Sequence, residues 1–284
     1  MVAVRFRIGV MQLTMEPLDE MLASARVMDE AGMDTVWLAE AYPWWRKHQM
    51  EARSSTVVSA LMARETERLT IGWGIISPFT RHPVQVAMDA RVVQEAAGPD
   101  RFLLGFGTSK IFLNNIRAQT KRTLGPMRDA VSIVRGVLSG DAFSYDGDTW
   151  SADVPALSPE AHTPRGVPPV YVAATAPKMQ ALAGEIADGC LTPSITTPAF
   201  VRYTCENVAA TAPKMQALAG EIGDGCLTPS ITTPAFVRYT IGNTGSEMCI
   251  RDRRTNAGVV IEGVRHPSAI SPASACIFGA VAAT

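Results

Sequence analysis

Apolar runs of strand length alternate with segments of helical period from residue 7 to residue 193, and that alternation restricts the fold more than any other feature of the chain. "RIGVMQL" (7–13) reads as a first strand, and "LDEMLASARVMDEAG" as the helix that follows Pro17 and stops at Gly32. "DTVWLAE" (34–40), "LTIGWGII" (69–76), "RFLLGFG" (101–107), "PPVYVAA" (168–174) and the short "CLTP" (190–193) are the next strands. Between them "SSTVVSALMARETE", "PVQVAMDARVVQEAAG", "PMRDAVSIVRGVLSG" and "PKMQALAGEIADG" carry helical patterning, with Pro126 in a first turn and Gly140 at an end. "DAFSYDGDTW" breaks the alternation, and its Asp146-Gly147 pair predicts a small hairpin outside the main sheet. Strands joined by helical crossovers pair in parallel. No Gly-x-Gly-x-x-Gly follows the first strand, so the main sign of a doubly wound dinucleotide fold is missing. Glu40, Ser77, Thr108 and Thr175 each stand just after a different strand, which is how a (β/α)8 barrel builds a site on its C-terminal face. The predicted fold is α/β: a TIM-type (β/α)8 barrel, incomplete, with about six βα units present.

A duplication limits how far that pattern extends. "VAATAPKMQALAGEIADGCLTPSITTPAFVRYT" (172–204) recurs at 208–240 with Gly223 in place of Ala187. Structural repeats keep the positions that pack on neighbours and need about three copies to bury a shared core, whereas here the surface positions are kept too. "GNTGSEMCIRDR" (242–253) has no apolar period and resembles translated sequencing-adapter sequence. Reverse-complementing suitable codons for residues 175–181 and reading one frame over gives Cys-Ile-Phe-Gly-Ala, the sequence at 276–280; carried upstream, the operation yields 254–284. The expected organisation is a barrel domain over 1–210, a duplicate of 175–204 at 211–240, an adapter-like stretch at 241–253 and an antisense-derived tail at 254–284. Residues 211–284 are then not expected to supply the last two strands, and the truncated chain itself is expected to be inactive. A true two-repeat protein is the other reading of the duplication.

With 47% hydrophobic and 19% charged residues, the composition is that of a globular protein. No apolar run is long enough to span a bilayer, and "MVAVRFRIGVMQ" lacks the apolar core of a signal peptide, so no membrane partner and a cytoplasmic location are expected. A formal charge of −1 with no local cluster of Lys and Arg argues against nucleic acid. Of the five cysteines, Cys226 duplicates Cys190, while Cys249 and Cys276 fall in the adapter-like and antisense stretches. Cys190 and Cys205 show neither metal-ligand nor disulfide spacing, so no metal is expected and a reducing compartment is.

"EAGMDTVWLAE", "LTIGWGIISPFTRHPVQVAMDA", "DRFLLGFGTS", "AVSIVRGVLSGDAFSYDGDTW" and "PVYVAATAPKMQALAGEIADG", in this order over nearly all of residues 5–204, resemble the luciferase-like monooxygenase family. Within it they are similar to the coenzyme F420-dependent branch typified by methylenetetrahydromethanopterin reductase. The resemblance implies a (β/α)8 barrel that binds a deazaflavin, or alternatively FMN, at the strand C-termini. It implies an oxidoreductase that transfers a hydride to a small conjugated or pterin-like molecule, and a homo-oligomer. It also implies a nonprolyl cis bond at Gly74–Ile75 against the cofactor's central ring, although Gly74 easing strand twist is the other reading. Ser77 matches a cofactor contact, yet Ser before Pro78 is also an ordinary turn residue. Thr108 and Ser109 occupy a cofactor loop in which small residues let backbone N–H groups approach polar atoms. Thr175 and Ala176 precede Pro177, where a helix N-terminus suits an anionic phosphate or is simply a helix start.

Glu40 is the catalytic candidate, matching an acidic position that in relatives touches cofactor or substrate. Two departures argue against sugar-phosphate oxidation: Ala41 stands where many relatives have His, and Lys110 where the family's sugar-phosphate dehydrogenases carry a catalytic Glu. Arg81 and His82 are candidates for an acidic cofactor tail, with a solvated helix start as the alternative for His82. Tyr42, Trp44 and Trp45 either wall a substrate pocket or form a capping cluster. The alternatives in function are an FMN-dependent luciferase-like monooxygenase and a non-catalytic or non-functional truncated barrel.

Overall fold

The computed structural model describes residues 9–40, 51–108, 113, 114, 116–118, 122–164, 166–193, 196–209 and 275–278. Their elements run β1 (Gly9–Leu13), α1 (Leu18–Glu30), β2 (Thr35–Ala39), α2 (Ser55–Glu65), β3 (Thr70–Trp73), α3 (Pro83–Ala97), β4 (Phe102–Phe106) and α4 (Leu124–Ser139). They continue as β5 (Phe143–Asp146), β6 (Ser151–Val154), β7 (Val170–Ala173), α5 (Pro177–Ile186), β8 (Gly189–Leu191), α6 (Pro198–Ala209) and β9 (Ala275–Phe278).

Six strands pair in parallel in the order β1, β2, β3, β4, β7, β8, never reversing direction across the sheet. Each helix from α1 to α6 contacts the next, so the helices form a single layer on the outside of a curled sheet. A doubly wound sheet would reverse its strand order and split its helices between two faces. The architecture is therefore the half-barrel of an incomplete TIM-type fold, with six βα units as the sequence predicts.

Alternation along the strands sorts the core into two parts. Val36, Leu38, Ile71, Trp73, Phe102, Leu104, Phe106, Val170 and Val172 point outward and pack with Met21, Met62, Val86, Val93, Met127, Val134 and Leu182 of the helices. Trp37, Leu103 and Tyr171 point inward, with Met11 and Leu191 against them. Because both faces are covered, these strands read as continuous apolar runs. The hairpin of β5 and β6 pairs antiparallel apart from the sheet, as predicted, and packs on α4.

Two elements lie outside the pattern read from the sequence. The sequence gives no strong signal for α6, yet it forms on α5 through a buried polar network: Gln180 Nε2 donates to Thr204 Oγ1 at 2.9 Å and Asn207 Nδ2 to Gln180 Oε1 at 2.9 Å. Residues 211–284, not expected to supply the last two barrel strands, contribute β9, which lies on the edge of β1 from Gly9↔Phe278 to Gln12↔Ala275. That pairing is antiparallel, whereas closing a (β/α)8 barrel requires a parallel neighbour. An unpaired edge accepts any extended segment that satisfies its N–H and C=O groups, which is why β1 can take this one. Among the described residues, no helix is long and apolar enough to cross a membrane.

Candidate active site

The inner face of the half-barrel has a level of large side chains and one of small residues. Trp37 is almost fully enclosed; its indole lies across Gly72, where an added Cβ would come within 2.5 Å of the ring, and meets Tyr171 edge-on with centroids 5.4 Å apart. Together with Leu103 and Met11 these rings plug the lower interior. One alternation further along, the inward positions are Ala39, Gly74, Gly105 and Ala173. Large residues below and small ones above make a floor toward the C-terminal ends of the strands, with the Leu191 side chain and the Trp73 carbonyl lying against Gly105.

The rim is organised around the end of β3. The Gly74–Ile75 peptide is cis, at the position the resemblance indicates. Gly74 N–H still donates to Leu38 O at 2.8 Å, and past the cis bond Ile76 N–H donates to Gly105 O and Gly107 N–H to Ile76 O, each at 3.0 Å. The Ile75 side chain reaches across to β4: a Cβ on Gly107 would lie 2.7 Å from Ile75 Cγ1 and 3.3 Å from Ala173 Cβ. Ser77 is buried, its Oγ accepting from Phe79 N–H at 3.4 Å and its carbonyl from Thr80 Oγ1 at 2.8 Å. Thr108 follows Gly107 on the adjoining strand end and is half-buried.

Thr175 and Ala176 are exposed beyond β7, directly beside β4 in the sheet. Ala176 is the N-cap of α5 and, having no polar side chain, supplies no capping bond; Pro177 follows at the first turn. Ser109 lies outside the described residues, as do Ala41, Tyr42, Trp44, Trp45 and Lys110. The structure thus gathers Glu40, Gly74, Ile75, Ser77 and Thr108 at the ends of three adjacent strands, with Thr175 and Ala176 on the next one.

Glu40 is 7% exposed at the end of β2, and both its oxygens accept from Arg81, at 2.8 and 2.7 Å. Arg81 is therefore engaged by a carboxylate of the rim itself. His82 is exposed, and its Nδ1 accepts from Val84 N–H as the N-cap of α3, so it serves the helix start. After β1, Thr14 Oγ1 donates to Arg53 O at 2.7 Å, and Arg53 donates to Met15 O at 2.6 Å. Beside them, burial pushes the Glu16 carboxyl up, against the opposing pull of its own backbone N–H, Arg53 and Gln12. Sequence reasoning missed one further contact: Trp150 at the tip of the hairpin meets Phe79 of the rim loop at 6.1 Å between ring centroids. The Asp146-Gly147 turn located the hairpin but carried no sign of what its tip would touch. Among the described residues, no group of three or more His, Cys, Asp or Glu is arranged to hold a metal ion.

The model of the luciferase-like monooxygenase family matches residues 1–212. The chain belongs to this family. Among luciferase-like relatives, the chain is 27% identical over 182 residues to the F420-dependent glucose-6-phosphate dehydrogenase of Nocardia farcinica, covering 62% of this chain and 53% of that protein. It is 26% identical over 184 residues to the 5,10-methylenetetrahydromethanopterin reductase of Methanolobus tindarius, covering 64% of this chain and 52% of that one. The chain thus spans about half the length of these curated relatives. The solved coenzyme F420-dependent tetrahydromethanopterin reductase of Methanopyrus kandleri shares the fold, with a TM-score of 0.60 at 21% identity over 76% of this chain and 62% of that one. The described rim is the C-terminal face of the six parallel strands of the half-barrel.

Proposed function

We propose that residues 1–210 form the barrel of an F420-dependent oxidoreductase acting on a small conjugated or pterin-like molecule. The floor of small residues under the Gly74–Ile75 bond carries this assignment, and the names of the F420-dependent relatives support the cofactor class. A flat ring suits such a floor, because Ala39, Gly74 and Ala173 present little bulk above the Trp37 and Tyr171 plug. Bound reduced F420 supplies a hydride from its deazaflavin ring to an electron-poor carbon. Gly74 and Ile75 would back the ring, Ser77, Thr108 and Ser109 would bond its polar edge, and Glu40 is the acidic group at the mouth. Thr175 and Ala176, with the first N–H groups of α5, would take an anionic tail. Trp37, Leu103 and Tyr171 exclude water from below. Ala41 and Lys110 weigh against a sugar-phosphate substrate. The cytoplasm is the compartment assigned, on the cysteine spacing.

The family's monooxygenase members favour a second reading, an FMN-dependent enzyme that activates oxygen. Titrating the chain with reduced F420 and reduced FMN separates the two. Tighter binding of F420 is expected; equal or reversed affinity would favour the monooxygenase.

The domain is also proposed to form a homo-oligomer through α2 and α3. Val57 and Leu61 on α2 and Met88 and Val92 on α3 are exposed one turn apart on neighbouring helices. Exposed Arg64 and Glu95 stand near the C-terminal ends of the same two helices, so a twofold axis parallel to them sets α2 against the partner's α3 and opposite charges together. Met88→Glu should convert a dimer to a monomer in size-exclusion light scattering; an unchanged mass would exclude this face. Residues 211–284 are proposed to lie outside the family domain, in keeping with a match that ends at residue 212. Genomic sequence beyond the Val208 codon should continue into two further βα units, and recovery of the duplicate there would overturn that view.

A further inference from the structure

Glu40 touches the end of β3 twice. Its backbone N–H donates to the Ile75 carbonyl at 3.4 Å, and its two carboxylate oxygens accept from the two terminal nitrogens of Arg81. Residues 75 and 81 bracket a single loop, and inside the bracket lies the Ser77 turn, closed by Thr80 N–H onto Ser77 O at 3.3 Å. His82, immediately after the bracket, caps α3. One residue of β2 thus holds both ends of the segment that carries the cis bond and Ser77.

The pairing is of the kind that fixes orientation as well as distance. Two parallel N–H···O bonds lock the planes of guanidinium and carboxylate together. The Glu40 side chain is 6% exposed and that of Arg81 18%, so neither can exchange its partner for bulk water at little cost.

We propose that Glu40 and Arg81 act as one clamp on the loop after β3, with Arg81 a positioning residue for Ser77 and Glu40 its anchor. The consequence for ligand binding rests on the deazaflavin assignment; the consequence for the loop does not.

A double-mutant cycle on the 284-residue chain tests the clamp, using Glu40→Gln, Arg81→Gln, the two together and Arg81→Lys. Amide hydrogen exchange over residues 76–82 and fluorescence titration with F420 are the readouts, with circular dichroism confirming the fold. Each glutamine variant should speed exchange in that segment, leave the 143–154 hairpin unchanged, and weaken F420 binding by about tenfold. The double variant should be no worse than either single one, because the two residues act as a unit. Arg81→Lys should fall between, since it restores the charge without the planar fork. Should Glu40→Gln impair binding while Arg81→Gln leaves exchange and binding untouched, Glu40 acts alone and the clamp is wrong; losses that multiply in the double variant have the same meaning. Absence of F420 binding by the unaltered chain would instead refute the deazaflavin assignment, and the exchange data would still decide the clamp.

Discussion

Asp29, in the last turn of α1, accepts from the backbone N–H groups of Glu67, Arg68 and Leu69 at 3.0, 2.9 and 2.6 Å, and so fixes the entry to β3. Burial alone would raise its carboxyl, but these three donors and the Arg68 charge hold it below the ordinary aspartate range. The folded state therefore binds this proton less well than the unfolded chain does. The contribution to stability is whole above the unfolded value of about 3.9 and is lost as the pH falls through the lowered folded one. Asp29→Asn should cost about 1–3 kcal/mol in urea unfolding at neutral pH, with the gap to the unaltered protein narrowing in acid. A gap independent of pH would show that the ionised carboxylate is not what matters. At this scale the sequence was informative about places and silent about partners. Glu40 was marked by its position at a strand end, but Arg81 is forty-one residues away, and only the register of β2 on β3 brings the two together.

Among the elements, the β5 and β6 hairpin depends most on a single residue. Asp129 of α4 is 3% exposed, and it accepts from Tyr145 Oη at 2.9 Å, Thr149 N–H at 2.8 Å and Trp150 N–H at 3.4 Å. Burial and then the bond to Asp129 raise the Tyr145 phenol, so the neutral, donating form is favoured. Asp129→Ala should lower stability by about 2–3 kcal/mol. Limited proteolysis should then cut first within 143–154, while fragments of the β1 to β4 region persist. Unchanged cleavage kinetics would mean that the contact of Phe143 with Gly136 holds the hairpin unaided. The parallel strands were legible because burial on both faces leaves an uninterrupted apolar run, and the hairpin because its turn needs a particular dipeptide. α6 was not, since its attachment to α5 depends on a Gln, a Thr and an Asn that carry no apolar period.

At the scale of the whole molecule, closure is the property that local patterning cannot supply. Six parallel strands leave two edges; β9 covers four residues of β1, and no strand among the described residues lies beyond β8. Among the described residues no strand pairs with the outer side of β8, and an open strand edge is a template for another extended chain. The 284-residue chain should therefore associate beyond a dimer as concentration rises, detectable by light scattering. A chain whose residues from 211 onward are replaced by the last two βα units of the Nocardia farcinica relative should not. Equal scattering from both would show that the open edge is protected in some other way. One interior feature offers a route to observing the mouth directly. Trp37 is 2% exposed and lies one level beneath the floor, its Cβ 3.0 Å from where a Cβ on Gly74 would be. An indole so enclosed emits toward the blue, and a coloured ring settling above it would drain that emission by energy transfer. The difference in emission between the unaltered protein and Trp37→Phe makes this side chain a built-in optical gauge of occupancy.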